Sequence, residues 1–327
     1  MMENDKKLTS LEICAGAGGQ ALGLEEAGFD HLALVEIEPL ACETLRQNRP
    51  SWNVIEQDVR SFSSVKFKGQ VDLLAGGVPC PPFSIAGKQL GENDDRDLFP
   101  EALRIVRECA PKAIMLENVR GILSPKFGYY RQAIVSELTS YGYEWDWKLI
   151  NSSHYGVSQL RPRAVLIALK PQYFKYFKWP KRNEINPKTI GELLYDEMAQ
   201  LGWEAVDEWK EKANDIAPTL VGGSKKHGGA DLGPTRARKA WELLGVNGKG
   251  LANQPPINGF KGFPKLTLKM AALVQGFPED WEFVGKKTPA YRQVGNAFPP
   301  PVAKALGLSI KKSIQYAEKA QKKGIAN

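Results

Sequence analysis

The chain predicts an α/β fold, a doubly wound and mostly parallel sheet with helices on both faces, followed by a second, smaller domain. Three observations carry this. Short apolar runs alternate with longer segments of helical spacing between residues 8 and 170, a glycine-rich turn follows the first run, and the alternation stops at about residue 171. The predicted strands are LTSLEIC (8–14), HLALVE (31–36), NVIEQ (53–57), VDLLAG (71–76), AIMLEN (113–118), YEWDWKLIN (143–151) and AVLIALK (164–170). PLACETLRQN and LFPEALRIVREC, with apolar residues three and four apart, predict helices between them.

Composition narrows the class. The 327 residues are 43% hydrophobic, enough for one large domain with a second inserted or appended. No apolar run approaches a membrane span, and MMENDKKLTS lacks the apolar core of a signal peptide, so a cytoplasmic protein without membrane contact is expected. Four cysteines without CxxC spacing and three scattered histidines, at 31, 154 and 227, predict no metal site. Lys and Arg outnumber Asp and Glu by 44 to 37; the net charge of +7 suits a polyanionic partner but is also common without one.

In AGAGGQALGLEEAGF, after the first strand, Gly16, Gly18 and Ala21 match a turn that brings backbone close to a nucleotide. Glu36 follows 18 residues after Gly18 at the tip of the second strand, where a carboxylate can accept both hydroxyls of a ribose. Asp58, past the third strand, could hold an adenine amino group. A dinucleotide dehydrogenase fits this much equally well.

The later strand ends separate the readings, because the carboxyl ends of parallel strands line the ligand crevice. Cys80 follows the fourth strand in GGVPCPPFS, and Glu117 ends the fifth, so a thiol and a carboxyl group 37 residues apart share one rim. Beyond the sixth strand, HYGVSQLRPRAVLIAL sets Gln159, Arg161 and Arg163 at the entry to the seventh, with both arginines expected on one side, as groups that bind phosphate or a base carbonyl.

These motifs together resemble those of bacterial DNA (cytosine-5)-methyltransferases of the restriction-modification type, spread in order from residue 11 to residue 307: EICAGAGG, PCPPFS, ENV, QLRPR, and YRQVGNAFPPPVAKALG after LTLKMAALVQGFPEDW. Cys14 stands where many members carry phenylalanine, and Pro81 where glutamine is frequent. The resemblance implies a Rossmann-like, class I S-adenosylmethionine-dependent fold. It also implies transfer of a methyl group from S-adenosylmethionine to C5 of a cytosine flipped out of a short duplex sequence. Catalysis would rest on Cys80, Glu117, Arg161 and Arg163, with Cys80 adding to C6, Glu117 serving N3 and Arg163 holding O2. Cofactor contacts are implied at Cys14, Ala15, Gly16, Gly18, Gly19, Glu36, Ile37, Asp58, Val59, Gly77, Pro79 and Asn296. DNA contacts are expected from Ser84, Lys88, Gln159, Lys225, Lys226, Arg236 and Arg238.

Residues 1–170 then form the catalytic and cofactor-binding domain, 171–285 a target-recognition domain, and 286–327 a segment returning to the first. Residues 191–215 carry eight acids against two bases and read as a solvated helical segment; residues 221–265 carry eight bases, two acids and ten glycines, suited to a nucleic-acid groove. The polar stretch 84–97 is expected to close over DNA. Gln293, Gly295 and Asn296 should lie beside the glycine turn, prolines 299–301 should start a closing helix, and the lysine-rich tail from residue 311 reads as a fraying helix. A monomer acting on double-stranded DNA is expected, and a companion restriction endonuclease sharing its site without a stable complex is compatible with the resemblance. Cytosine methylation in RNA, or a silent DNA-binding relative, are the alternatives.

Overall fold

The run LTSLEI forms β1 (Leu8–Ile13), an interior strand of a seven-stranded sheet in a computed structural model that describes residues 7–79, 97–184, 186–222, 229–322 and 324. Cys80, Pro81, Pro82, Ser84, Lys88, Lys225, Lys226 and all of the expected closing stretch except Asp97 lie outside the described residues. The other strands are β2 (Phe29–Glu36), β3 (Val54–Glu56), β4 (Leu73–Gly77), β5 (Ala113–Val119), β6 (Glu144–Asn151), the two-residue β7 (Gln159–Leu160), β8 (Pro162–Leu169) and the two-residue β9 (Ala217–Pro218).

The large sheet runs β3-β2-β1-β4-β5-β8-β6, and β7 pairs with β9 apart from it. The chain winds outward from β1 through β2 and β3, then from β4 in the opposite direction. A crevice therefore opens beyond the carboxyl ends of β1 and β4. The seven apolar runs predicted as strands are the seven strands of this sheet. What the runs do not announce is that β8 lies antiparallel between β5 and β6. The reason is the connection: only residues 152–161 separate β6 from β8, too few for a helical crossover. The reversal brings the beginning of β8 to the ends of β5 and β6, with Arg163 opposite Val119.

Apolar side chains cover the sheet on both faces. Leu11, Leu74 and Leu116 pack with Phe99 and Val106 of the helix Phe99–Cys109; Leu73, Met115 and Val165 pack with Leu306 and Ile310 of the helix Pro300–Lys322. That last helix returns to the helix Gly19–Glu26 at very close range, since a Cβ on Gly23 would collide with the Pro300 carbonyl and lie 2.7 Å from the Ala303 Cβ. The expectation of a fraying tail is corrected here. Ile314 and Ala317 are buried, and Lys112 joins Glu318 to Asp72, so the helix is docked well past residue 311.

The acidic stretch contains two helices, Ile190–Ala199 and Val206–Lys212, whose buried Leu194, Met198 and Trp209 explain why it folds despite its charge. Their core is continuous with Ala15, Leu22, Leu45 and Trp52. Among the described residues no helix is long and apolar enough to cross a membrane.

His31, on β2, is held neutral. Its Nε2–H donates to the Ala21 carbonyl (3.0 Å), Ser10 Oγ donates to Nδ1 (2.7 Å), and Trp52 meets the ring edge-on. Burial pushes its pKa down to about 4. The unfolded chain then binds a proton that the native state refuses, so stability falls as pH drops from about 6.5 toward 4. Between pH 7 and pH 4.5 the protein should lose roughly 2–3 kcal/mol more than His31→Gln does, measured from urea midpoints. Equal losses in the two proteins would show that His31 is not the group responsible.

Candidate active site

At the crevice predicted by the strand order lies a cavity of about 1030 Å³. Its floor is the glycine turn. After β1 the chain passes through Cys14 and Gly16, both with positive φ (52° and 54°), and a Cβ on Gly16 would meet nothing within 4 Å. Ala15, Ala17 and Gly19 complete that wall. Gly18 was expected here too and is placed elsewhere: a Cβ on it would press on Leu45 (2.6 Å) and Trp281 (2.9 Å), and it does not line the cavity. Its φ of 87° turns the chain into the helix, a role only glycine takes readily.

Glu36 ends β2 on the cavity wall. One carboxylate oxygen accepts from the Gly16 amide (2.7 Å), and the other accepts from the amides of Ile37 and Glu38 (2.9 Å each). Burial pushes this carboxyl up, and the three amides oppose it. Ile37 and Val59 are apolar neighbours, and Asp58 is paired with Arg60 (2.9 Å). Asn296, Gln293 and Arg292 close the cavity from the helix Lys287–Asn296.

Two buried polar wall residues escaped the sequence reading. Glu12 and Gln20 are buried and both line the cavity, and the Gln20 side chain lies close enough to the Glu12 carboxyl to oppose the effect of its burial. Burial pushes the Glu12 carboxyl well above its usual range. The signal was present: an acid at a position of β1 flanked by Leu11 and Ile13 is out of place in an apolar strand.

The opposite wall carries the second set. Glu117 on β5 and Arg163 on β8 sit on one face of adjacent strands, and Arg163 Nε donates to Glu117 Oε1 at 2.7 Å. Burial raises the Glu117 carboxyl, and the charges of Arg163 and Arg161 pull it back. Gly77, at the end of β4, is close enough that its Cβ would lie 3.4 Å from the other carboxylate oxygen. Asn118 donates to the Val78 carbonyl (2.7 Å), tying β5 to the segment Val78–Pro79 that leads to Cys80.

Two expected contact residues are corrected. Arg161 is fully buried and does not line the cavity; its guanidinium donates to the carbonyls of Leu220 (2.9 Å), Gly295 (2.7 Å) and Ala297 (3.0 Å). It and Arg163 are two residues apart, but the break between β7 and β8 sends them to different partners. Gln159 is also fully buried, bonded to the Leu220 amide (2.9 Å) and to Gln275 Oε1 (2.8 Å), and cannot meet DNA without unfolding that junction. Of the arginines on the helix Thr235–Leu243, Arg236 is exposed, whereas Arg238 reaches Asp231 (3.6 Å) and Thr235 (3.2 Å).

Comparison with known proteins agrees with this geometry. Residues 8–312 match the family model for C-5 cytosine-specific DNA methylase. The chain is 56% identical over 312 residues to the type II methyltransferase M.NgoMIV of Neisseria gonorrhoeae, covering 94% of this chain and 99% of that one. It is 54% identical over 315 residues to M.NaeI of Lentzea aerocolonigenes, covering 94% and 76%. Among solved structures, the Entamoeba histolytica methyltransferase EhMeth superposes with a TM-score of 0.67 at 16% identity, over 95% of this chain and 99% of that one. The S. pombe Dnmt2 methyltransferase does so at 0.63 and 16%, over 96% and 99%. Both share the fold.

Proposed function

The chain belongs to the C-5 cytosine-specific DNA methylase family, and from that premise we propose that it methylates a cytosine flipped out of a short duplex sequence, with Cys80 as nucleophile and S-adenosylmethionine as methyl donor. As an enzyme it is a DNA (cytosine-5)-methyltransferase. The observation that carries the finer reading is the Glu117–Arg163 pair, 2.7 Å apart in the cavity wall, beside the segment that leads to Cys80.

The cavity fits the donor. Glu36 can accept a ribose hydroxyl on the lone pair its three amides leave open, Ile37 and Val59 offer apolar surfaces to an adenine, and Asp58 can receive its amino group. The buried Glu12 and Gln20 face the cavity with hydrogen-bonding capacity that a polar ligand can use. When bound, S-adenosylmethionine supplies an electrophilic methyl group on a sulfonium that leaves readily.

The residues of the chain do the rest. C5 of cytosine is a weak nucleophile while the ring is aromatic. Addition of the Cys80 thiolate to C6 breaks that aromaticity and moves electron density to C5 and N3. Glu117 holds the proton at N3 that stabilises this density, and Arg163 orients Glu117 and faces the base O2. Once C5 carries the methyl group, a solvent water takes its proton, and the electron pair returns to the ring and expels the Cys80 thiolate. A stacked base cannot enter such a cavity, which is why the target must leave the helix.

Radiolabelled transfer from S-adenosylmethionine to duplex DNA, single-stranded DNA and transfer RNA, assayed side by side, tests the reading. Label in C5 of cytosine in the duplex is expected, and label in transfer RNA alone would overturn it. For the donor site, Glu36→Ala should weaken S-adenosylmethionine by about 1–3 kcal/mol, because it removes a charged acceptor and frees the Gly16 amide that the carboxylate holds. An unchanged dissociation constant by calorimetry would place the ribose elsewhere.

A further inference from the structure

Arg161 occupies a junction that the proposed chemistry does not use. Its backbone is clamped to the end of β6, with its carbonyl accepting from the Ser152 amide (3.1 Å) and hydroxyl (3.0 Å). Its guanidinium holds two segments at once. Leu220 introduces the basic, glycine-rich stretch; Gly295 and Ala297 flank Asn296, which lines the cavity. Those segments also touch directly. A Cβ on Gly222 would collide with Asn296 Oδ1 and lie 2.8 Å from the Arg292 carbonyl, and a Cβ on Gly295 would collide with Gly222. On its other side Val221 approaches Gly233, two residues before the helix that carries Arg236 and Arg238, with Val221 Cγ2 3.3 Å from where a Gly233 Cβ would lie.

A buried guanidinium is expensive, and here it faces three neutral carbonyls and no directly bonded carboxylate. Its planar fork cannot follow one carbonyl without dragging on the others. Gln159 stiffens the same point, since its Oε1 accepts from the Leu220 amide while its Nε2 donates to Gln275, which in turn donates to the Ala297 carbonyl.

We propose that Arg161 is a positioning residue that couples the two ligands of this enzyme. Through Leu220 and Gly222 it transmits the placement of the DNA-contacting stretch to Asn296, so that DNA and the nucleoside ligand bind cooperatively. The inference rests on the donor and substrate assignments above. Its content is a coupling free energy, which is reciprocal between the two sites.

The test uses full-length protein, S-adenosylhomocysteine, and a duplex whose methylated site has been found by sequencing a library incubated with the enzyme. In the wild type, saturating S-adenosylhomocysteine should tighten the duplex by about tenfold in fluorescence anisotropy, and the duplex should tighten S-adenosylhomocysteine by the same factor in calorimetry. Arg161→Lys puts one nitrogen in place of the two that reach Leu220 on one side and Gly295 and Ala297 on the other, so it cannot bridge both segments. Each ligand alone should then bind within about threefold of wild type, with cooperativity reduced to about twofold or less. A purely structural role would weaken both ligands and leave the ratio intact. Gly222→Ala displaces the contact with Asn296 while preserving the guanidinium, and it should lose cooperativity as well; it decides the matter if Arg161→Lys does not fold. Unchanged cooperativity in either folded variant overturns the coupling, as does a wild-type protein that binds both ligands independently. A wild-type protein that binds neither overturns the functional reading, and the coupling with it.

Discussion

Cys80→Ala is expected to abolish methyl transfer while S-adenosylmethionine binding stays within about twofold of wild type, because the nucleophile is lost and Glu36, Ile37, Asp58 and Val59 on the cofactor side of the cavity are unchanged. The companion experiment identifies the atom. Duplex DNA with 5-fluorocytosine at the target should trap the enzyme covalently, since fluorine cannot leave C5 as a proton does, and mass spectrometry should find the base on Cys80. The structure explains why no other thiol can substitute. Cys42 and Cys109 are fully buried, and burial pushes each thiol up to about 12, far from the thiolate that the addition requires. Cys14 lines the cavity, but burial and the carboxylates of Glu36, Asp58 and Glu12 raise its pKa further still. A base found on Cys14 would refute the mechanism.

Glu117→Gln should lower turnover by roughly 10²-fold or more with little change in duplex affinity, since the amide keeps the shape but has no proton to give. The sign of the pH dependence follows from the site. Burial holds the Glu117 carboxyl above its ordinary range against the pull of Arg163, so its proton persists nearer neutrality than that of an exposed glutamate. Wild-type turnover should therefore fall as pH rises past that raised value. The residual rate of Glu117→Gln should show no such step. A variant with wild-type turnover, or with the same fall, would remove Glu117 from the proton's path.

Much of this site is legible before any tertiary structure is known, and the reason is local. An apolar run of five to eight residues bounded by turn residues marks a strand, and a residue just past such a run stands at its carboxyl end. That suffices to bring Glu36, Asp58, Gly77 and Glu117 to one rim, and all four line the cavity. Glu12 was missed because the apolar character of β1 hid a buried acid whose purpose appears only when the cavity around it is seen.

The sequence by itself therefore determined which strands form, which chemical groups their ends carry and the family to which the chain belongs. Only the tertiary structure decided which of those groups face the cavity. Arg161 and Arg163 have the same chemistry and lie two residues apart; one is spent on three carbonyls from distant segments, and the other meets Glu117 across an antiparallel pair. Gln159 was likewise assigned to DNA and instead bonds Leu220 and Gln275, and Gly18, assigned to the cofactor, sits where a Cβ would press on Leu45 and Trp281. The tail from residue 311 read as a fraying helix, yet that helix is held by a groove that residues from the first half of the chain create. The physical reason is common to all: periodicity encodes backbone conformation over a few residues, whereas a side chain's partner is set by segments distant in sequence that no local pattern contains.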